Sequence, residues 1–309
     1  MSGVRGQSDV PDIHLRSLRT PFVVLGAGGM VGGAWAAELA RRSIPHRALT
    51  RGVCDLTDRA SVERVFAEDV GTLVNCAAWT DVDGAEKNEA GAFAVNEAGP
   101  GLLAERCREA GATLVHYSTD YVFGGSAADA QTYPRGYPED APTGPLNAYG
   151  RSKLAGERAV LASGCDALIV RTSWVYHHTG RNFVRTIAAL AREREDLRVV
   201  ADQHGRPTEA STLARVSMGL LAGGARGVVH AAGGGRCTWH ELAQRVVDCL
   251  GLRTRVVPCA SAEYPRPARR PAFSVLDTDR ATRIVGDLPD WREEVARVVS
   301  SLGERATSA

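Results

Sequence analysis

The chain has 309 residues, with 37 Lys and Arg against 36 Asp and Glu and a formal net charge of +1. This balance gives no global field that favours nucleic acid or an anionic membrane as a partner, and no run of the sequence approaches the ~18 apolar residues of a membrane span. The 7 cysteines are odd in number, scattered and never spaced as Cys-x-x-Cys, which predicts reduced thiols in a cytoplasmic protein rather than a disulfide framework or a zinc site.

Helix-forming and strand-forming stretches alternate along most of the chain, and its length suits one large domain or two modest ones. Charged residues interrupt every apolar run in residues 1–20, so this segment lacks a signal-peptide core. We therefore expect residues 1–20 to be a short disordered leader.

Residues 22–25 form a continuous apolar run that predicts a strand buried on both faces. A glycine-rich turn, Gly-Ala-Gly-Gly-Met-Val-Gly, follows directly and leads into a helical stretch that ends near residue 42. A strand, a glycine turn and a helix in this order predict a dinucleotide phosphate site, because glycine lets backbone amides approach the pyrophosphate and the helix N-terminus favours its charge. The expected cofactor contacts here are Gly26, Gly29, Met30, Val31 and Gly32.

The second strand, at about residues 46–50, ends at Arg51, where an Asp or Glu would hold the adenosine ribose hydroxyls of NAD. A cation at this point favours a 2′-phosphate, so we expect NADPH as the cofactor, with NADH as the alternative. Asp55 and Leu56 follow at the expected adenine edge. The Asp55 carboxylate could accept a hydrogen bond from the adenine amino group, or it could only brace the turn.

Residues 72–78 predict a third strand that ends in small side chains. Ala77 and Ala78 leave room for a ribose and a nicotinamide to lie against the backbone, and Trp79 and Thr80 follow at the mouth of the site. All four are therefore expected to contact the cofactor.

A long helix is predicted at 90–110, interrupted near 99–101, and a fourth strand follows at 113–123. This strand carries polar residues, among them Thr119 and Asp120, at its C-terminal end. Since ligands bind at the carboxyl ends of parallel strands, we expect these side chains in the same layer as the glycine turn.

Tyr149 and Lys153 lie four residues apart on a predicted helix that follows a long loop at 124–147. Residues at this spacing share one helix face, so a phenol and an ammonium can converge on one substrate atom. A phenol of pKa about 10 is a poor acid or base at neutral pH, and a fixed cation can lower that pKa. The spacing alone also fits an amphipathic Tyr with a snorkelling Lys. The motifs upstream favour proton delivery.

The last third of the sequence is less regular. A proline-rich loop contains Arg266, Arg269 and Arg270, which could grip a phosphate or remain solvated. The expected regular elements are strands at 167–171, 197–200 and 227–230, and helices at 182–194, up to about 221, at 239–250 and after 291.

Five separated segments carry a joint signal: HYSTDYVF (116–123), PLNAYGRSKLAGE (145–157), RTSWVY (171–176), DQHGRPT (202–208) and ARRP (268–271). With these segments the chain resembles the extended short-chain dehydrogenase/reductase superfamily and, within it, the dTDP-4-dehydrorhamnose reductase family. The likeness covers about residues 22 to 300, with the motifs in the family's order. It implies an α/β fold, a Rossmann-type doubly wound parallel sheet with a dinucleotide-binding domain at 21–170 and a smaller, mainly substrate-binding α/β region at 171–309, interleaved with it.

The resemblance implies reduction of the 4-keto group of dTDP-4-dehydro-L-rhamnose to dTDP-L-rhamnose with NADPH or NADH. Tyr149 would be the proton donor, Lys153 would bind the nicotinamide ribose and lower the Tyr149 pKa, and Thr119 would complete the catalytic set. Asp120 and Trp174 would hold the sugar together with Thr119 and Tyr149. Tyr117 would line the cofactor site.

Two residues depart from the family pattern. Trp79 is bulkier than the His or Tyr expected after the Ala-Ala pair, and Ala34 stands where some relatives carry a Glu that helps a metal-bridged dimer. We therefore expect no metal site, while a homodimer stays open. Two other functions are compatible with the sequence: a related nucleotide-sugar 4-ketoreductase for another deoxysugar, and a non-catalytic NADP-binding regulatory subunit. The intact Thr119, Tyr149 and Lys153 argue against the regulatory subunit.

Overall fold

The central sheet has six parallel strands in the computed structural model, which describes residues 17–306. Their spatial order is β10-β5-β4-β3-β1-β2, so the winding reverses between β1 and β3. This order confirms the predicted doubly wound sheet and places the ligand crevice at the carboxyl ends of these two strands. The strands are β1 Phe22–Leu25, β2 His46–Leu49, β3 Thr72–Asn75, β4 Thr113–Thr119, β5 Ala167–Thr172 and β10 Gly227–His230.

Helices cover both faces of this sheet. Phe22 and Val24 of β1 face one helical layer, and Val23 and Leu25 face the other. Both faces of β1 are therefore buried, which explains its unbroken apolar sequence. The first layer contains α1 Met30–Arg41, α9 Ala210–Ala222 and α11 Asp279–Val285, and the second contains α2 Arg59–Val65, α5 Gly99–Ala110 and α7 Ala148–Ala162.

A smaller region with its own apolar core packs beside the carboxyl ends of the sheet. In this region β7 Asp196–Val200 pairs in parallel with β12 Arg255–Cys259. Elements after residue 170, namely β10, α9 and α11, belong to the main sheet and its first helical layer, and residue 170 itself lies inside β5. The helices of the smaller core are α8 Phe183–Glu193, α10 Trp239–Leu250 and α12 Trp291–Ala306.

The predicted long helix at 90–110 differs in one detail. Its interruption is a π-helical segment, Ala94–Ala98, between α4 Glu89–Phe93 and α5, rather than a break at the Gly-Pro-Gly sequence. Pro100 lies in the first turn of α5, where proline fits the helix. Strand β4 likewise ends at Thr119 instead of residue 123, because the Thr119 side chain accepts a hydrogen bond from the Tyr121 amide and caps a 3₁₀ turn, Asp120–Val122.

Residues 1–16 of the predicted leader lie outside the described residues. Residues 17–20 pack against the domain: Leu18 is buried on the sheet, and the Thr72 hydroxyl donates to the Arg19 carbonyl oxygen at 2.7 Å. No helix in residues 17–306 is long and apolar enough to cross a membrane. The remaining short elements are α3 Val82–Lys87, α6 Asp129–Thr132, the pair β6 Val175–Tyr176 with β9 Thr208–Glu209, and the pair β8 His204–Gly205 with β11 Cys237–Thr238.

Candidate active site

A cavity of about 860 Å³ opens at the carboxyl ends of β1, β3, β4 and β5. It collects side chains that are distant in sequence, from the glycine turn through the ends of the strands to the segment after β5. All the predicted site residues line this cavity except Gly32: Gly26, Gly29, Met30, Val31, Arg51, Asp55, Leu56, Ala77, Ala78, Trp79, Thr80, Tyr117, Thr119, Asp120, Tyr149, Lys153 and Trp174.

The glycine turn forms one end of the cavity. Helix α1 begins at Met30, and its N-cap Gly29 provides no side-chain hydrogen bond to the first amides. A Cβ on Gly28 would meet only the Thr50 methyl group, at 3.8 Å, so the backbone there is open to the cavity. Exposed amides at the N-terminus of a 12-residue helix suit a phosphate group.

Two other glycines of the turn serve close packing. Gly26 has φ of +72°, and a Cβ there would lie 2.7 Å from the Ala77 nitrogen. A Cβ on Gly32 would lie 2.3 Å from the Gly26 carbonyl oxygen. Gly32 therefore lets α1 approach the turn, and the structure gives it no direct position on the cavity.

Arg51 and Asp55 lie together at the edge of the cavity. The Arg51 side chain is 83% exposed, with its Nε 3.3 Å from the Asp55 carboxylate. That carboxylate accepts hydrogen bonds from the Thr57 amide at 2.9 Å and the Thr57 hydroxyl at 2.7 Å, and these bonds lower the Asp55 pKa. Asp55 thus braces its turn, and the exposed Arg51 guanidinium is accessible to an anion.

Tyr149, Thr119 and Asp120 line the same cavity. The Thr119 hydroxyl donates to Oδ1 of Asp120 at 3.0 Å. Burial raises the pKa of Tyr149 to about 12, although the nearby Thr119 side chain opposes this increase. Tyr149 is therefore protonated at neutral pH, as a proton donor must be.

Lys153 lies one helical turn further along α7 and is 2% exposed. Its Nζ donates to the Tyr117 carbonyl oxygen at 2.6 Å. Burial lowers the Lys153 pKa to about 8, while the negative charge of Glu157 raises it. Burial raises the Tyr149 pKa most, Thr119 lowers it and the charge of Asp120 raises it. The effect of Lys153 on that pKa, which the resemblance implies, stays a prediction.

Tyr117 lines the cavity, but its hydroxyl serves the fold. It accepts a hydrogen bond from Trp35 Nε1 at 2.6 Å and donates one to the Ser217 hydroxyl at 2.8 Å. Because Trp35 belongs to α1 and Ser217 to α9, the phenol ties the sheet to both helices. The Tyr117 hydroxyl is therefore engaged by the fold, and any contact of Tyr117 with a cofactor would come from its other atoms.

Trp174 forms the wall of the cavity on the side of the smaller region. Its ring stacks on Trp239 with centroids 3.6 Å apart and planes 8° apart. A Cβ on Gly205 would lie 2.4 Å from the Trp174 ring, so only glycine fits there. The backbone of Trp174 has φ of +47°, an uncommon conformation for a bulky residue, and such strain is often found at functional sites.

Sequence reasoning missed Asn96, which lies in the π segment and is fully buried. Its Oδ1 accepts from the Trp79 amide at 2.9 Å, and its Nδ2 donates to the Trp79 carbonyl and the Ser152 hydroxyl, both at 3.0 Å. It thereby fixes the segment after β3 against α7. A buried amide within a helix of mainly small and apolar residues is a signal that could have indicated it.

A buried ion pair behind Lys153 was also missed. Glu157 accepts two hydrogen bonds from Arg171, at 2.9 and 2.7 Å, and both side chains are at most 5% exposed. Glu157 continues the four-residue spacing of Tyr149 and Lys153 on α7, which is the signal that the sequence offered. Arg181, which also lines the cavity, had no such signal.

The arginines of the proline-rich loop make contacts within the protein. Arg270 pairs with Asp83 through bonds of 2.5 and 3.0 Å, and the Arg266 guanidinium lies 4.7 Å from the centre of the Tyr264 ring. The Arg269 carbonyl oxygen accepts from Asn147, whose side chain caps α7. The loop therefore holds the start of the helix that carries Tyr149.

Comparison with known proteins agrees with this geometry. Residues 20–303 match the family model described as the RmlD substrate binding domain. The chain is 43% identical over 285 residues to the dTDP-4-dehydrorhamnose reductase of Mycolicibacterium smegmatis, with 91% of this chain and 85% of that one aligned. It is also 43% identical over 276 residues to a probable dTDP-4,6-dihydroxy-2-methyloxan-3-one 4-ketoreductase of Streptomyces antibioticus, with 88% and 92% aligned.

A solved structure shows the same fold. The crystal structure of dTDP-4-dehydrorhamnose reductase from Bacillus anthracis in complex with NADP has a TM-score of 0.85 and 34% identity, over 91% of this chain and 98% of that one. The chain therefore belongs to the dTDP-4-dehydrorhamnose reductase family, within the extended short-chain dehydrogenase/reductases, and it is an oxidoreductase.

Proposed function

We propose that this protein reduces the 4-keto group of dTDP-4-dehydro-L-rhamnose to give dTDP-L-rhamnose, with NADPH as the reductant. The observation that carries the proposal is that Thr119, Tyr149 and Lys153 share one cavity with the glycine turn. A hydride donor and a proton donor can therefore reach the same carbonyl group. The relatives from M. smegmatis and B. anthracis, named for this reductase activity, support the same substrate.

The cavity fits NADPH, which when bound would supply the hydride. The open backbone at Gly28 and the uncapped start of α1 at Gly29 would receive the pyrophosphate. Arg51 would pair with the 2′-phosphate, because its guanidinium is exposed at the cavity edge. Ala77 and Ala78 would leave room for the nicotinamide ribose, and Lys153 would donate to it.

Tyr149 would donate a proton to the carbonyl oxygen as negative charge develops there. Its raised pKa keeps the phenol protonated beforehand. Thr119, which lines the cavity beside the phenol, would help to orient it. The buried Lys153 ammonium adds a positive charge on the same helix face, which favours an oxyanion.

Asp120 and Trp174 would hold the sugar. Oδ2 of Asp120 is buried and has no hydrogen-bond partner among the described residues, so a sugar hydroxyl could complete its bonding. The Trp174 ring, fixed by its stack on Trp239, offers an apolar surface to the 6-deoxy part of the substrate. A homodimer and the absence of a resident metal remain predictions from the sequence.

A second candidate is a 4-ketoreductase for another dTDP-deoxysugar. The S. antibioticus relative, named for such a reaction, is as similar to this chain as the M. smegmatis reductase. The same Thr119, Tyr149 and Lys153 would serve, and only contacts to the sugar would differ.

The test is an NADPH-oxidation assay with a panel of dTDP-4-keto-6-deoxy sugars, with product stereochemistry read by NMR. We expect the highest kcat/KM for dTDP-4-dehydro-L-rhamnose. A higher value for another sugar would favour the second candidate. No oxidation with any sugar, while NADPH still binds, would favour a regulatory subunit and exclude both reductases.

A further inference from the structure

We propose that Arg181 binds the pyrophosphate of NADPH and, together with the glycine turn, encloses it. The proposal rests on the proposed function and adds a cofactor contact that no sequence motif indicated. Arg181 comes from the segment between β6 and α8, whereas the glycine turn comes from the segment between β1 and α1. Two distant parts of the chain would therefore build one pyrophosphate site.

Contacts with Met30 hold the Arg181 segment beside the start of α1. Met30 is the first residue of α1 and follows the N-cap Gly29. A Cβ on Gly180 would lie 3.2 Å from Cγ of Met30, and Nδ2 of Asn182 lies 3.7 Å from its Sδ. The neighbours on both sides of Arg181 are thus close to the residue at which α1 begins.

Hydrogen bonds fix the backbone of this segment. Nδ2 of Asn182 donates to the His177 carbonyl oxygen at 2.8 Å, and its Oδ1 accepts from the Arg185 amide at 3.1 Å. The Arg185 guanidinium donates to the His178 carbonyl oxygen at 2.9 Å. Both ends of the segment are therefore tied to the first turn of α8, which fixes where the Arg181 side chain starts.

The Arg181 side chain is available to a ligand. Arg181 is exposed, lines the same cavity as the glycine turn, and makes no hydrogen bond or ion pair within residues 17–306. The other two cations that line the cavity differ, since Arg51 lies 3.3 Å from Asp55 and Lys153 donates to the Tyr117 carbonyl oxygen at 2.6 Å. Among the described residues, Arg181 is therefore the cation of this cavity that is without a partner.

The charge at the glycine turn explains why a cation would be useful there. Each phosphate of a pyrophosphate carries a negative charge, whereas a helix N-terminus supplies the equivalent of about +0.5 elementary charge. The start of α1 would therefore leave most of the pyrophosphate charge uncompensated. A guanidinium compensates it well, because its planar fork donates two parallel hydrogen bonds to phosphate oxygens.

The diphosphate of a dTDP-sugar has the same chemistry as the pyrophosphate of NADPH. The contacts of Gly180 and Asn182 with Met30 favour the cofactor, because they bring Arg181 to the turn whose open backbone suits the cofactor phosphates. The two ligands are separated experimentally by titrating dTDP alongside the cofactors.

The test is fluorescence titration of the full-length wild type, Arg181→Ala and Arg51→Ala with NADPH and with NADH. Arg181→Ala should weaken both cofactors by about 10 to 100-fold, because both contain the pyrophosphate, whereas Arg51→Ala should weaken NADPH selectively. Adenosine 2′-monophosphate, which carries the 2′-phosphate without a pyrophosphate, should compete with NADPH equally well in the wild type and Arg181→Ala. Binding of dTDP should also be unchanged in Arg181→Ala. Arg194→Ala is the matched control, because Arg194 is an exposed arginine after α8 that does not line the cavity.

Four results would overturn the proposal. Unchanged affinities in Arg181→Ala would exclude the contact, and an equal loss in Arg194→Ala would show only an effect of net charge. Selective weakening of NADPH by Arg181→Ala would assign Arg181 to the 2′-phosphate, and weakening of dTDP with unchanged cofactor binding would assign it to the sugar diphosphate. The titrations need no turnover, so they decide the role of Arg181 even if the wild type reduces no dTDP-4-keto sugar, a result that would refute only the proposed function.

Discussion

Replacing Asp120 by Asn should remove a pH dependence of stability that the wild-type protein carries. Burial raises the Asp120 pKa from 3.8 to about 7 in the folded state. Between these values the folded protein keeps a proton that the unfolded chain has lost, so the free energy of unfolding falls as pH rises. The whole difference corresponds to about 4 kcal/mol, of which about 2 to 3 kcal/mol lies between pH 5 and 8.

The measurement is urea unfolding of both proteins at pH 5 and pH 8, followed by tryptophan fluorescence. Other titrations cancel in the comparison, so the wild type should lose about 2 to 3 kcal/mol more than Asp120→Asn over this interval. Asp166→Asn is a matched control, because Arg226 lowers the Asp166 pKa and its titration is complete below pH 5. Equal losses for the wild type and Asp120→Asn would refute a raised Asp120 pKa.

Three further substitutions test the site and its support. Tyr149→Phe should lower turnover by about 10² to 10⁴-fold in the NADPH-oxidation assay while NADPH binding by fluorescence titration persists, and a fully active variant would exclude Tyr149 as the acid. Arg51→Ala should weaken NADPH by about 10 to 100-fold and NADH much less, the loss expected for a charge-assisted bond, whereas equal losses would show that Arg51 does not contact the 2′-phosphate. Glu157→Gln should destabilise the fold by about 3 to 5 kcal/mol in urea unfolding, because it leaves the buried Arg171 unpaired, while Glu89→Gln at an exposed pair should cost less than about 1 kcal/mol; similar losses would contradict this difference.

Local patterns were sufficient to predict the elements that form the cavity. The apolar run at 22–25, the glycines after it and the four-residue spacing of Tyr149 and Lys153 each depend on a few neighbouring residues. The parallel sheet then brings the strand ends to one edge, so predicted residues from separate motifs line the same cavity. Residues at the carboxyl ends of the predicted strands could therefore be assigned to the cavity from the sequence.

Features that depend on distant partners were not predictable. Nothing next to Arg270 in the sequence indicates its partner Asp83, which lies 187 residues away, so the sequence suggested only a phosphate or solvent as the partner. The raised pKa of Asp120 depends on how completely the fold buries it. Strand β12 was not predicted from the sequence, and its Pro258 lies in a two-stranded pair, where an edge position tolerates proline.

The helix spacing that predicted Tyr149 and Lys153 as a catalytic pair also places Glu157, which modifies the charge near them. Tyr149, Lys153 and Glu157 follow one another on one face of α7. If Glu157 were bound to Lys153 alone, its charge would neutralise the ammonium. Instead Arg171 from β5 engages both oxygens of Glu157, so the buried group of two cations and one anion keeps a net positive charge while Lys153 is protonated. Lys153 and Tyr149 line the same cavity, so this charge would favour an oxyanion formed there, and it declines as pH rises through the Lys153 pKa of about 8.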